Sequence, residues 1–275
     1  MCPCQITENL FRMPDARTDD LPLNSANHCV NRSHEYHAKA HAEWADCIQS
    51  QLRGWLPMNA ATHCAGASID FAIHAAERAV VANALHSRQA EFIAGRWCAH
   101  RALEQLGSST DLIPVGALGG PEWPVGIIGS ITHDSGICLA IAMQASRLNG
   151  IGIDLFDTRR GVEMMEIANL VLGGEEMVAG NYSADSTSYL KLVFSAKEAV
   201  VKAVSKTMGR FLDMREIRLS VEANTFRAGL ESFPHEISGK WAYVGHFLLT
   251  LAILNVDEIR ALTSGERRRT ASQRC

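Results

Sequence analysis

The segment LVFSAKEAVVKA, residues 192–203, places three charged side chains, Lys197, Glu198 and Lys202, in an otherwise apolar run. On a helical wheel Glu198 and Lys202 lie side by side at the rim of the apolar arc. A glutamate followed four residues later by a lysine is often a surface ion pair worth about 0.2–0.5 kcal/mol. At the mouth of a cleft, the same two groups would place a general base beside a cation that stabilises negative charge.

A further charge interrupts an apolar strand. Asp154 lies within the run GIGIDLF, where an unpaired carboxylate is costly to bury. The carboxylate therefore needs a basic partner such as Arg159, or a metal, unless it simply marks the end of the strand. Mg²⁺ is usually held by one or two carboxylates together with phosphate oxygens of a substrate. If Asp154 and Glu198 converge, the sequence predicts such a site with Lys202 beside it.

Two other residues are candidates for phosphate contact. His133 lies in a Thr-His-Asp stretch, where a histidine can donate to a phosphate or merely satisfy nearby backbone groups. Arg96 lies between Gly95 and Trp97 on a predicted helix. Its guanidinium can extend to solvent or clamp a phosphate beside a cleft.

Two helices are predicted to position these residues. The first runs through RQAEFIAGRWCAHRALEQL, with Ser87 as its cap and Gly107 as its stop. The second runs from about Ser186 to Met208, with Gly209 as its end.

Short apolar runs predict strands after each helix. VGIIGSI and ICLAIAM predict a hairpin with His133 at its tip, and GIGIDLF predicts another strand. Strand-like runs follow the second helix at 216–221 and 241–254. One helix followed by several strands therefore occurs twice, which suggests two similar halves joined near residues 146–150.

The predicted organisation has four segments. They are a variable N-terminal lead-in at 1–35, an N-terminal half at 36–148, a C-terminal half at 149–262 and a disordered tail at 263–275.

Composition limits the possible functions. The chain has 275 residues, of which 47% are hydrophobic and 20% charged, as is typical of a globular protein. The net charge of -4 and the pI near 6.3 give no global reason to expect nucleic acid or an anionic membrane as a partner. The N-terminus lacks the features of a secretory signal, and the apolar run at 241–254 is too short to span a bilayer. The sequence predicts a cytoplasmic protein without a transmembrane segment.

The first 64 residues are rich in potential zinc ligands. Their spacing matches no standard zinc pattern and includes no C-x-x-C pair. Surface or loosely packed side chains are the preferred interpretation, with zinc binding as the alternative. The residues concerned are Cys2, Cys4, Cys29, Cys47, Cys64, His28, His34, His37, His41 and His63.

Five motifs stand in one order along the chain: GRWCAHRAL, PEWP, GSITHD, GIGID and FSAKEAVVKA. Together they resemble the 4'-phosphopantetheinyl transferase superfamily, in its Sfp-like group and most closely the enterobactin synthase component D type. The resemblance covers roughly residues 75–255. It implies an α+β fold made of a pseudo-twofold pair of similar halves. Each half is a helix packed on a small, mainly antiparallel sheet, with the active site between the halves.

The resemblance also implies an activity. With Mg²⁺, such enzymes move 4'-phosphopantetheine from coenzyme A to a serine of an apo carrier protein and release adenosine 3',5'-bisphosphate. The implied partners are acidic carrier domains of nonribosomal peptide, polyketide or fatty acid synthases. The subfamily favours a role in siderophore or other nonribosomal peptide synthesis.

The resemblance also implies roles for individual residues, assigned position by position from the family's motifs. Asp154 matches the family's metal ligand, and Glu198 matches the carboxylate that binds metal and helps to deprotonate the carrier serine. Lys202 matches the lysine near the pyrophosphate.

The remaining assignments concern coenzyme A. Thr132 and His133 match the pair that holds its phosphates, and Arg96 looks like the residue near the 3'-phosphate. Lys197 is assigned to contact with the coenzyme A phosphates or with the carrier.

Two departures from the family pattern favour an alternative. Phe156 stands where relatives commonly have a second acid, so water or Asp157 would have to complete the magnesium shell. Gly119 stands where a basic residue is common. The alternative is a catalytically weakened homologue that binds coenzyme A or a carrier protein. A metal-dependent hydrolase of nucleotide diphosphates is a third possibility.

A basic strip is predicted beside the cleft. Residues 191–218 contain seven lysines and arginines but only three acidic residues. Such a strip would steer an acidic carrier protein, or would simply form a solvated helix face.

Overall fold

The structure is a computed structural model of the 275-residue chain. It describes residues 40–145, 148–160, 164–173, 186–231 and 233–255. The predicted lead-in at 1–35 and the predicted tail at 263–275 lie outside the described residues.

The N-terminal half holds three helices and three strands among its described residues. In chain order they are α1 (40–53), β1 (Ala60–Gly66), α2 (Ala75–Val80), α3 (His86–Gln105), β2 (Ile127–Asp134) and β3 (Ile137–Gln144). The three strands form an antiparallel sheet in the order β1-β3-β2. The predicted hairpin is confirmed, with its turn at Ser135 and Gly136, which both have positive φ.

The C-terminal half is larger. Its described elements are β4 (Leu148–Asp157), α4 (Met164–Val171), α5 (Ser186–Met208), a 3-10 helix (Met214–Glu216), β5 (Ile217–Val221), β6 (Thr225–Leu230), β7 (Phe233–Val244) and β8 (Phe247–Asn255). Its antiparallel sheet has the order β4-β8-β7-β6-β5. The predicted apolar run at 241–254 spans parts of β7 and β8 and the tight turn between them.

The two predicted helices are confirmed, with one correction. The cap of α3 is the backbone at Leu85, and Ser87 lies inside the first turn, so the prediction of a Ser87 cap is wrong. Both glycine stops are confirmed, because Gly107 and Gly209 have φ values of 69° and 66° that favour glycine at a helix end. None of the described helices is long and apolar enough to cross a membrane.

A seam of side-chain hydrogen bonds joins the two sheets. Ser130, Thr132 and Asp134 of β2 accept from the backbone N–H groups of Ile153, Leu155 and Asp157 of β4, at 3.1, 3.3 and 2.7 Å. Each pair is separated by 23 residues, so the two strands run side by side in the same direction. In a regular sheet, backbone carbonyl groups of the neighbouring strand would accept these hydrogen bonds. Here side-chain hydroxyl and carboxylate oxygens of β2 accept them.

Helices α3 and α5 cover one face of the joined sheets. Helix α5 lies so close to β4 that a Cβ on Gly150 or Gly152 would overlap the carbonyl groups of Ala203 or Ala199. Strand residues alternate between the two faces. Accordingly Cys138 and Ala140 of β3 pack with α3, whereas Ile137 and Leu139 face the other side.

Helix α1 covers that other face. Its Ala45, Ile48 and Leu52 share one core cluster with residues of both sheets, from Ile137 to Met143 in β3, from Ile151 to Leu155 in β4 and from Phe247 to Leu251 in β8. The structure therefore has two similar halves, each with a helix on an antiparallel sheet, as the resemblance implied.

Candidate active site

A cleft lies between α3 and α5, above the seam. Its volume is about 1120 Å³, which exceeds the roughly 300–1,000 Å³ of most small-molecule sites. Asp154, Glu198, Lys202, Thr132, His133 and Arg96 all line it. A smaller pocket of about 220 Å³, around Arg53, Thr62 and Gln105, contains none of these residues. The cleft is therefore the candidate active site.

Asp154 and Lys202 form a salt bridge at the floor of the cleft. Lys202 Nζ lies 2.8 Å from Asp154 Oδ1 and also donates to the Ile153 carbonyl at 3.0 Å. Asp154 is 7% exposed, and Arg159 instead binds Asp157. The partner of Asp154 is thus the lysine of α5, and the alternative pairing with Arg159 is wrong.

Thr132 connects this pair to the seam. Its Oγ1 lies 3.3 Å from Asp154 Oδ1, 3.3 Å from Lys202 Nζ and 3.3 Å from the backbone nitrogen of Leu155. A hydroxyl has one proton and two acceptor positions, so these three contacts use all of its capacity. In this structure Thr132 orients protein groups.

Glu198 is buried beside the salt bridge. It is 9% exposed, and its Oε1 has no hydrogen-bond partner among the described residues. Burial raises the pKa of Glu198 above its ordinary value; Lys202 opposes this effect and the Asp154 charge adds to it. A buried acceptor without a partner is costly, so this oxygen is suited to a proton or a cation brought by a ligand.

His133 lies between two charged residues of α3. Its Nε2 is 2.7 Å from Arg88 Nη1, and its Nδ1 is 3.4 Å from Glu91 Oε2. Because a guanidinium can only donate, Nε2 must accept and the ring must be neutral. Burial and the positive charges of Arg88, Lys202 and Arg160 lower the pKa of His133 to about 3. Arg88, which the sequence did not single out, is thus the cation at this position.

Arg96 does not extend to solvent. It is 3% exposed, its guanidinium lies 5.0 Å from the centre of the Phe92 ring, and its Nη1 has no partner in the described part of the chain. Burial lowers the pKa of Arg96 to about 10, with Glu77 opposing and Arg88 adding to the effect. The guanidinium remains charged at neutral pH and faces the cleft.

Unsatisfied polar atoms concentrate in this cleft. Among the described residues, four buried side-chain atoms lack a hydrogen-bond partner, and all four belong to residues that line the cleft. They are Glu198 Oε1, Arg96 Nη1, Trp123 Nε1 and Ser205 Oγ. Native proteins leave few such groups, so the pattern indicates a polar ligand.

Lys197 lies elsewhere, and its assignment to coenzyme A or the carrier is wrong. It is 0% exposed and donates to the carbonyl of Val171 at 2.8 Å. Val171 is the last residue of α4, so the ammonium satisfies a helix C-terminus. Adjacent helix positions point about 100° apart, which separates Lys197 from the cleft-facing Glu198.

The structure also explains both departures from the family pattern. Phe156 is 4% exposed and packs edge-on against Phe194, with ring centres 5.8 Å apart. Asp157 faces away from Asp154 along the strand, and both of its oxygens accept from Arg159 at 3.0 and 2.7 Å, so it is not available to a metal. Gly119 has a φ of 75°, a conformation that disfavours a lysine or arginine.

Several charges of the predicted basic strip are compensated. Arg210 pairs with Glu216 at 2.6 Å, and Arg215 pairs with Asp213 at 2.5 Å. Arg218 pairs with Glu231, which lies outside the strip. Asp213 and Glu216 already count among the acids of the strip, so its positive excess falls through Glu231 on Arg218, Asp154 on Lys202 and the burial of Lys197.

Metal-ligating side chains are sparse in the described part of the chain. There, no three His, Cys, Asp or Glu side chains are arranged to hold an ion. Cys64 is buried, which raises the pKa of its thiol to about 12, and His63 packs against Trp97. Cys2, Cys4, Cys29, His28, His34 and His37 lie outside the described residues. Asp154 and Glu198 are two carboxylates that line the cleft.

Both halves match models of one family. Residues 76–143 match the 4'-phosphopantetheinyl transferase N-terminal domain, and residues 150–252 match the 4'-phosphopantetheinyl transferase superfamily. The two matches are separated at the connection between β3 and β4, where the structure divides into halves. The class indicated by both matches is a group-transferring enzyme.

Individual relatives support the same conclusion. The 4'-phosphopantetheinyl transferase Npt of Nocardia iowensis is 30% identical over 201 residues, 66% of this chain and 89% of that protein. Svp of Streptomyces mobaraensis, also a 4'-phosphopantetheinyl transferase, is 36% identical over 56% of this chain and 64% of its own length. Enterobactin synthase component D of Salmonella typhi is 32% identical over 43% of this chain and 49% of its own. The chain belongs to the 4'-phosphopantetheinyl transferase superfamily, which confirms the resemblance of its motifs.

Among solved structures, the holo-[acyl-carrier-protein] synthase (AcpS) of Thermotoga maritima matches with a TM-score of 0.34 and 17% identity, over 39% of this chain and 64% of that one. This similarity is too low to carry an argument, so the fold rests on the elements described above.

Proposed function

We propose that the protein transfers 4'-phosphopantetheine from coenzyme A to a serine of an apo carrier protein and releases adenosine 3',5'-bisphosphate. The observation that carries the proposal is the pair of buried, unpartnered atoms on opposite walls of the cleft. Glu198 Oε1 offers an acceptor and Arg96 Nη1 offers a donor. Coenzyme A brings phosphates for the donor, and the carrier serine brings a proton for the acceptor.

The transfer requires a base and a cation at the leaving group. The serine oxygen bonds to the phosphorus that carries the pantetheine arm, and the bond from that phosphorus to the bridging oxygen breaks. The serine proton passes to Glu198, whose raised pKa suits this role. The electron pair leaves with the adenosine bisphosphate, where Lys202 stabilises the new charge.

Mg²⁺ would be held by Asp154 and Glu198 and would withdraw charge from the phosphate oxygens. The two carboxylates both line the cleft, and Glu198 has two oxygens, so one can face the ion while the other receives the serine proton. Phe156 adds no ligand, so phosphate oxygens and water must complete the coordination shell. In the same cleft Arg96 is assigned to the 3'-phosphate, and Arg88 beside His133 to a second phosphate position.

The proposed partners are acidic carrier domains of nonribosomal peptide, polyketide or fatty acid synthases. Similarity to enterobactin synthase component D favours siderophore synthesis. Within the basic strip, Lys206 is exposed and also lines the cleft, so it is the proposed cation for steering an acidic carrier. The proposed location is the cytoplasm, where coenzyme A is available.

The test is a mass measurement on carrier proteins. Apo carrier domains from the three synthase classes are incubated with the protein, coenzyme A and Mg²⁺. At least one carrier should gain the mass of one phosphopantetheine arm. Glu198→Gln should abolish the gain, whereas Glu104→Gln, which removes an exposed ion pair with Arg101, should not. No mass gain on any carrier would overturn the proposal.

The second candidate is a homologue that binds coenzyme A or a carrier without turnover. It is favoured by Phe156, which fills the space beside Asp154 with an aromatic pair instead of a carboxylate. Calorimetry with coenzyme A, and with each carrier, separates the two. Tight binding with no mass gain would favour the second candidate. Release of adenosine 3',5'-bisphosphate without any carrier would instead indicate a hydrolase.

A further inference from the structure

Two buried hydroxyl groups lie behind the carboxylate of Asp154. Ser195 Oγ donates to Asp154 Oδ2 at 2.8 Å, and Thr250 Oγ1 lies 3.0 Å from Ser195 Oγ. Both residues are 0% exposed. We propose that Ser195 and Thr250 are positioning residues that orient Asp154 so that only its Oδ1 faces the cleft. This inference rests on the proposed function, in which Asp154 binds the cation.

Three elements converge to build this chain of hydroxyls. Asp154 of β4 and Thr250 of β8 are direct partners across the two antiparallel strands. Ser195 lies on α5, three residues before Glu198, and its side chain reaches down between the helix and the sheet. This pair of hydroxyl groups therefore links β4, which carries one proposed metal ligand, to α5, which carries the other.

The direction of the protons follows from donor capacity. Thr250 Oγ1 donates to the carbonyl oxygen of Ser195 at 2.9 Å. Each hydroxyl has one proton, and an ionised carboxylate only accepts. The proton of Ser195 is therefore committed to Asp154 Oδ2. The proton of Thr250 is committed to the Ser195 carbonyl, so Thr250 holds the backbone of Ser195 and contacts its hydroxyl without a proton between them.

The two oxygens of Asp154 thus have separate roles. Oδ2 is held from behind by Ser195, whereas Oδ1 faces Lys202 and Thr132 at 2.8 and 3.3 Å. With Oδ2 held by Ser195, Oδ1 is the oxygen that would exchange its contact with Lys202 for the cation, in a set direction. Hydrogen bonds to the ligands of a metal typically change its affinity about 10–100-fold.

The test compares Ser195→Ala and Thr250→Val with a matched control. Thr62→Val removes a hydroxyl that is also buried in a strand and also donates to a carbonyl, Ala140 O at 2.9 Å. It lies in the other half, on the edge strand β1, away from Asp154. Mn²⁺ replaces Mg²⁺ as the probe, and its binding with coenzyme A present is measured by calorimetry and by electron paramagnetic resonance. Thermal unfolding is recorded for every variant.

Ser195→Ala should weaken Mn²⁺ binding about 10-fold or more, and Thr250→Val should weaken it less. Thr62→Val should lose stability but keep the Mn²⁺ affinity of the unchanged protein. Equal Mn²⁺ affinity in Ser195→Ala and the unchanged protein would overturn the inference and leave the proposed function intact. If the unchanged protein binds no Mn²⁺ with coenzyme A, the proposed metal site fails together with this inference.

Discussion

The N-terminal half packs α3 on three strands, whereas the C-terminal half packs α5 on five, and the two helices supply different chemistry to the shared cleft. Helix α3 contributes the cations Arg88 and Arg96, and β2 contributes His133 next to them. Helix α5 contributes Glu198 and Lys202, which meet Asp154 of β4. In the proposed function, the N-terminal half binds the phosphates of the substrate and the C-terminal half carries out the transfer.

The closeness of helix and strand accounts for part of this difference. Gly150 and Gly152 allow α5 to lie against β4, so the lysine of the helix reaches the strand carboxylate directly. In the other half, the strand glycine of β2, Gly129, instead faces the indole of Trp123. The same helix-on-sheet arrangement therefore gives a direct contact between helix and strand charges in the C-terminal half. In the N-terminal half it leaves the charged residues of α3 lining the cleft.

The largest expected effect is on the transfer step. Glu198→Gln should lower kcat about 10²–10⁴-fold, because the carrier serine loses its base. The KM for coenzyme A should change little if the other half carries most of the binding. Steady-state kinetics on a carrier domain measures both. A raised KM with kcat unchanged would reverse the assignment of the two halves.

The close packing of α5 on β4 can be disturbed directly. Gly152→Ala should lower the free energy of unfolding by about 3 kcal/mol, because its Cβ would overlap the Ala199 carbonyl. Gly229→Ala is the matched control, since a Cβ there meets no atom within 4 Å. Denaturant unfolding checks both variants. Equal stability of the two would mean that α5 can move off the strand without cost.

The binding role of the N-terminal half is tested at Arg96. Arg96→Ala should raise the KM for coenzyme A about 10–100-fold, as expected for losing a hydrogen bond between charged groups worth about 1.5–3 kcal/mol. The KM for dephospho-coenzyme A, which lacks the 3'-phosphate, should hardly change. If Arg96→Ala weakens both substrates equally, the arginine does not contact the 3'-phosphate.

An effect that is smaller per pH unit is expected from the titration of His133. The folded pKa of about 3 lies below the ordinary value of 6.5, so the unfolded chain binds more protons between these limits. The free energy of unfolding should therefore fall as pH decreases from about 6.5 towards 3, by up to about 1.4 kcal/mol per pH unit from this group. His133→Gln should make the decline shallower in denaturant unfolding at several pH values. Identical slopes would contradict the neutral imidazole.

The smallest effect on activity is expected at Lys197. Lys197→Met should leave the KM for coenzyme A unchanged, because this ammonium contacts the end of α4 and not the cleft. The free energy of unfolding should fall by about 1 kcal/mol through loss of the bond to Val171. A clear rise in the KM for coenzyme A would mean that Lys197 does contact this substrate.

Strong local signals made much of the fold predictable. Helices α3 and α5 combine apolar periodicity with a glycine stop, and the hairpin of β2 and β3 consists of two apolar runs around a turn. The sequence did not predict helix α1. This helix lies in a polar, histidine-rich stretch and has few apolar residues, such as Ile48 and Leu52, that become buried. Its partners are strands far along the chain, which local pattern cannot reveal.

The site was predictable where a charge conflicted with its surroundings. Asp154 in an apolar strand and Arg96 on an apolar helix face both proved to line the cleft. Arg88 resembles any exposed residue of a first helical turn, and Ser195 carries no charge, so neither gave a signal. Lys197 was misassigned because the side of α5 that faces α4 depends on packing between distant segments.

Helix α1 lies upstream of residue 76, where the match to the family's N-terminal domain begins. Besides the core shared by both sheets, its Trp44 packs against His246 and Phe247 at the β7–β8 turn, with ring centres 4.7 and 6.0 Å apart. A fragment expressed from residue 76 onward would keep every proposed catalytic side chain and still expose the apolar back of both sheets. The unit that must be expressed to study this enzyme therefore starts no later than residue 40, well before the segment that matches the family's N-terminal domain.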